Sequence, residues 1–138
     1  MVVAEDAPNL TERRSAMHYH GDVVRVLFVA SALLMLGAET LGGEMPLSTV
    51  GIVAFAIVLV VAAGITNPAQ AWIHYLNFII AVCGAGVFGL FAIERYQVSH
   101  TFVEVTYLSA EALALIFLFA VYYTTKTVRG ILLRPHLT

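Results

Sequence analysis

The sequence predicts an all-α integral membrane protein, an up-down-up-down bundle of four transmembrane helices with both termini cytoplasmic. Three observations point to it. The chain is 60% hydrophobic and 12% charged, with a mean hydropathy of +0.88, whereas water-soluble domains are about half apolar and about a quarter charged. Its 138 residues offer too small an interior to hide that much apolar surface from water. Four apolar runs follow one another with short polar breaks, and nearly all Lys and Arg fall on one side of them.

Residues 1–21 read as a cytoplasmic segment. They are polar and acid-bearing and lack the apolar core of a signal peptide, so the first crossing is expected to remain in the protein. Within them, residues 9–19 form either a short interfacial helix on Leu10, Met17 and Tyr19 or no fixed structure. The sequon Asn9-Leu10-Thr11 would stay unmodified on the cytoplasmic side.

Residues 22–125 form the transmembrane domain. The first run, 23–41, reads VVRVLFVASALLMLGAETL and ends at Gly42-Gly43-Glu44-Met45-Pro46. The second, 47–65, carries no charge. Thr66-Asn67-Pro68 joins it to the third, 69–93; Thr66 or Asn67 suits a cap and Pro68 a first helical turn. ERYQVSHT, 94–101, leads to the fourth, 102–124. Each run is about long enough to cross a ~30 Å hydrocarbon core as a helix, the only open segment that satisfies its own backbone in lipid. Short connections make sequential helices antiparallel. Residues 126–138 form a basic cytoplasmic tail.

Orientation follows from the basic residues. Arg13, Arg14, Arg25, Lys126, Arg129 and Arg134 share the side of both termini, and only Arg95 lies on the other. Basic loops stay in the cytoplasm, which implies the plasma (inner) membrane with both termini inside. Trp72, Tyr122 and Tyr123 fall at the inner interface and Tyr96 at the outer one, the depths aromatic belts prefer.

A few polar side chains interrupt the runs. Glu111 is a carboxyl within TYLSAEALALIFLFA, about 9–14 Å below the outer surface by counting helical rise. Asn77 and Ser31 lie about 12 Å from the inner surface, with His74 one turn shallower than Asn77. An ionised acid at the helix centre costs about 2.5–3.5 kcal/mol, so a partner is expected. Asn77 on the preceding helix is the first candidate, with His74 below it and Ser31 or Tyr107 as further donors. Glu111, Asn77, His74 and Ser31 are therefore the candidates for an ion or proton path. His74, Asn77, Ala81, Gly84 and Phe88 share one face of the third helix, and Ala81, Ala85 and Gly89 form a small-residue ladder suited to helix packing. Glu104, Tyr107, Glu111, Ala114, Leu115 and Leu118 share a stripe of the fourth. Glu39, Glu44, Glu94 and Glu104 form an acidic outer rim that either concentrates cations or pairs with Arg95.

Other classes find no support. A net charge of −2 offers nothing to nucleic acid, and the single Cys83 allows neither an internal disulfide nor a CxxC site. No phosphate loop, nucleophile elbow or HExxH is present, and His74 is the one histidine within a crossing, too few for axial haem ligands. No enzyme activity, cofactor or metal site is expected. The expected partners are the lipid bilayer and other membrane subunits or copies of itself. Two functions fit: a non-catalytic accessory or assembly subunit, or a homo-oligomeric cation or proton channel or transporter using Glu111.

Overall fold

The computed structural model describes residues 20–133. The expectations placed on residues 9–19, on Arg13, Arg14 and Arg134, and on 134–138 lie outside these described residues. Among them the chain forms four helices and no strand: α1 (Gly21–Thr40), α2 (Thr49–Ile65), α3 (Ala71–Ser99) and α4 (Val105–Leu132). Helices α1, α3 and α4 are long and apolar enough to cross a membrane. Helix α2, at 17 residues, is about 25 Å long.

Each boundary has a local cause. Helix α1 ends in a Schellman turn: Gly42 takes φ +78°, Gly43 N–H donates to Ala38 O at 2.9 Å and Gly42 N–H to Glu39 O at 3.2 Å. Ser48 caps α2, its hydroxyl accepting from Gly51 N–H at 3.3 Å. Helix α3 runs six residues beyond the expected end at 93, because ERYQVS contains neither Gly nor Pro and loss of hydropathy does not break a helix. It stops at His100, whose φ of 51° is left-handed. Helix α4 starts later than 102, after an extended Glu104, and continues past 124 through Lys126 and Arg129. The first part of the expected basic tail is therefore helical.

Helix α3 packs most extensively on α4, α1 packs on both α2 and α4, and α2 barely meets α3. Four phenylalanines, one per helix, close the middle. Phe117 of α4 stacks on Phe88 of α3 (centroids 5.8 Å, 3°) and Phe55 of α2 (6.1 Å, 23°), and it meets Phe28 of α1 at 6.5 Å. Phe28, Phe88 and Phe117 are fully buried. Opposite the Phe117 ring, α3 carries Gly84, where a Cβ would stand 2.6 Å from ring carbons.

Outside this core the surface is apolar. Val50 is 79% exposed, Leu90 71% and Leu33 66%, positions that suit acyl chains rather than water. Hydroxyls turn onto their own helices instead: Ser109 Oγ donates to Val105 O, and Thr124 Oγ1 to Ala120 O, both at 2.7 Å.

Candidate functional site

Polar side chains gather in two groups, one on either side of the phenylalanine cluster. The first centres on Thr66, the fully buried residue ending α2 in an extended conformation. Its hydroxyl donates to Ala62 O at 2.6 Å and accepts from Asn77 Nδ2 at 2.9 Å. Its carbonyl accepts from Arg25 Nη2 of α1, while Arg25 Nη1 lies 3.4 Å from Asp22 Oδ1. Helix α2 has no basic residue in its last turn, so Arg25 brings a cation to the negative end of its dipole from another helix. His74, 5% exposed, lies one turn before Asn77. Asn77 Oδ1 and Arg25 Nε, an acceptor and a donor, are buried and unpaired among the described residues.

The Asn77–Thr66 bond joins α3 to α2 where these helices otherwise scarcely touch. A double-mutant cycle of Asn77→Leu and Thr66→Val, read by reversible unfolding in bicelles, is expected to give a coupling of about 0.6 kcal/mol and no more than about 1.7. A coupling of zero would mean that the bond does not form in the bilayer.

The second group closes the opposite end. Arg95 of α3 donates from Nη1 to Glu44 Oε2 at 2.9 Å, from Nε to Glu104 Oε1 at 3.0 Å and from Nη2 to the same oxygen. Glu44 N–H donates to Thr106 Oγ1 at 3.0 Å, and Thr49 Oγ1 to Glu39 Oε1 at 2.6 Å. Of the four rim acids, Glu44 and Glu104 thus share the single cation Arg95 and Glu39 is held by Thr49, while Glu94 is exposed. This arrangement ties a loop and two helices together.

Hydrogen bonds from Arg95 hold the Glu104 carboxyl below its ordinary range, against the opposing effect of partial burial. A lowered folded-state pKa contributes stability that is complete above the unfolded value of ~4.3 and is lost as pH falls through the folded one. The melting temperature in detergent is therefore expected to hold between about pH 7 and 5 and to fall below about pH 4. Arg95→Met should lower it at neutral pH and flatten the acid slope; an unchanged slope in that variant would remove the pair from the account.

Glu111 joins neither group. It is half-buried and makes no hydrogen bond or ion pair among the described residues. The contact of Gly84 with Phe117 sets the register of α3 against α4. Glu111 lies six residues from Phe117 toward Glu104, and Asn77 seven residues from Gly84 the other way. At 1.5 Å per residue they are about 20 Å apart along the bundle. The expected Glu111–Asn77 pair does not form; Asn77 takes Thr66. Ser31 is fully buried, one turn beyond Phe28 on the Glu111 side of the cluster, with its Oγ unpaired among the described residues. The four path candidates are therefore divided, with Ser31 and Glu111 on one side of the phenylalanines and His74 and Asn77 on the other.

The small-residue ladder also divides. Ala81 is fully buried, Ala85 packs against the core, and a Cβ at Gly89 would meet nothing within 4 Å. Gly84, on the adjoining strip, makes the close approach. On α4 the buried positions are Thr106, Ser109, Ala110, Leu113, Ala114, Phe117, Ala120 and Thr124. The expected stripe through Glu111 is thus the edge of the packed face, and its Leu115 and Leu118 are exposed.

Thr66 and Arg25 are the residues missed as a site. Thr66 has the signature of a turn before Asn-Pro, and nothing in a linear count brings Arg25 to it. Among the described residues no three His, Cys, Asp or Glu side chains cluster to hold a metal ion. Comparison with protein-family models, curated proteins and solved structures gives no match.

Proposed function

We propose that this chain is a non-catalytic accessory or assembly subunit that packs against other membrane proteins in the plasma (inner) membrane. Its four helices cross up-down-up-down, with both termini cytoplasmic. Contacts of the start of α1 with the end of α2, and of the end of α3 with the start of α4, support that alternation. A 17-residue α2 fits a locally thinned bilayer at modest cost. The six-to-one asymmetry of Lys and Arg supports the orientation.

The observation that carries this proposal is the cluster of Phe28, Phe55, Phe88 and Phe117. Conduction through one bundle needs a continuous polar route, whereas these rings occupy its middle and part the polar groups to either side. Extracted from its native membrane in mild detergent, the tagged chain is expected to co-elute with a larger membrane protein in fixed ratio. Purified alone into liposomes, it should carry no cation or proton flux. A flux that Glu111→Gln abolishes would overturn this in favour of the homo-oligomeric channel or transporter.

A further inference from the structure

Glu111 is the only Asp, Glu, Lys, Arg or His of α4 between Val105 and Lys126. It lies six residues into the helix, about 9 Å below its start. Tyr107, one turn earlier on the same face, meets Tyr96 of α3 at 5.8 Å, so the carboxyl stands on the flank of α4 that borders α3. Gly89, two turns back from Tyr96, has open space above it. Exposed Leu90, Ile93, Leu108, Leu115 and Leu118 surround this ground. A half-exposed carboxyl without a partner among the described residues thus stands in surface otherwise made for hydrocarbon.

Lipid tails provide no donor, and an ionised acid left against them is unfavourable. A second copy docked with Glu111 at a two-fold axis would bring Glu111 toward Glu111, and two ionised carboxylates there repel unless they share a proton. Nor does the described part of the chain have a cation to lend. Arg95 is engaged by Glu44 and Glu104, and Arg25 by Thr66 and Asp22. Lys126 and Arg129 lie more than four helical turns further along α4. Charge complementarity therefore selects a different protein.

We propose that the α3–α4 face around Glu111 and Gly89 docks one transmembrane helix of a partner protein, whose Lys or Arg reaches the Glu111 carboxylate. The proposal deepens the accessory-subunit reading and rests on it.

The test uses the full chain in its native membrane, with a photoreactive amino acid in place of Leu115 or, as a control on α2, of Val60. A discrete adduct with another membrane protein is expected from position 115 and none from position 60, and the captured protein should carry Lys or Arg within a spanning helix. Glu111→Leu, which suits lipid and should fold, is expected to lower co-purification about tenfold or more, as when a buried charge pair is broken, with the melting of the purified chain unchanged. Glu111→Lys should lose the partner too, and replacing the partner's basic residue by Glu should restore it. An adduct of twice this chain's mass, or full co-purification of Glu111→Leu, would overturn the proposal. Adducts from position 60 alone, with a partner still bound, would overturn this face while leaving the accessory function standing. If the native chain retains no partner at all, the accessory function falls with it.

Discussion

Phe117→Ala is expected to destabilise the bundle by about 3 kcal/mol, the low end of the range for Phe→Ala in soluble cores. The value is low because lipid solvates an apolar side chain as well as the protein interior does, so little transfer energy is lost. The loss lies in the cavity: Phe28, Phe55 and Phe88 all face this one ring, and three helices cannot collapse onto an alanine together. Reversible unfolding in mixed micelles measures it. Phe117→Leu, which keeps most of the volume, should lose less than half as much. A loss under about 1 kcal/mol for the alanine variant would show that helix association is carried elsewhere, since that falls below any buried Phe→Ala.

Gly84→Ala should cost nearly as much, about 2–3 kcal/mol, at the upper end for overpacking. The added Cβ would stand 2.6 Å from Cδ1 and Cε1 of Phe117. That ring cannot swing away, because it is fully buried and held by three others. Gly64→Ala provides the control: a Cβ there meets nothing within 4 Å, and alanine's better helix propensity should leave stability unchanged or raised by up to about 1 kcal/mol. Combining Gly84→Ala with Phe117→Leu should recover part of the loss, since the clash is with the ring. Additive losses in that pair would place the clash elsewhere.

Much of this architecture is legible from residue order. The face of α3 is one instance: His74, Asn77, Ala81, Gly84 and Phe88 recur at helical spacing, and all five are buried. The breaks at Gly42-Gly43 and Thr66-Asn67-Pro68 are others, since a left-handed glycine and a proline act on the chain next to them. The interior of the polar site is not legible. Depth counted from the edge of an apolar run sets Asn77 beside Glu111, but α3 continues through Glu94–Ser99, so the run's edge does not mark the helix's edge. The counts on α3 and α4 start from opposite faces and leave out that extra length between them, and the error lies along the axis that decides which side chains meet.

Helix positions, apolar character and the sites of the turns are determined by the sequence alone, because hydropathy and i to i−4 hydrogen bonding act within a few residues. The register and rotation of the helices are decided only by the tertiary structure. They depend on fitting Phe117 over Gly84, 33 residues earlier in the chain, and on Arg25 reaching the end of a helix that begins well beyond its own. That fit gives Asn77 to Thr66 and leaves Glu111 at the edge of the bundle, because large rings claim the centre before a lone carboxyl can.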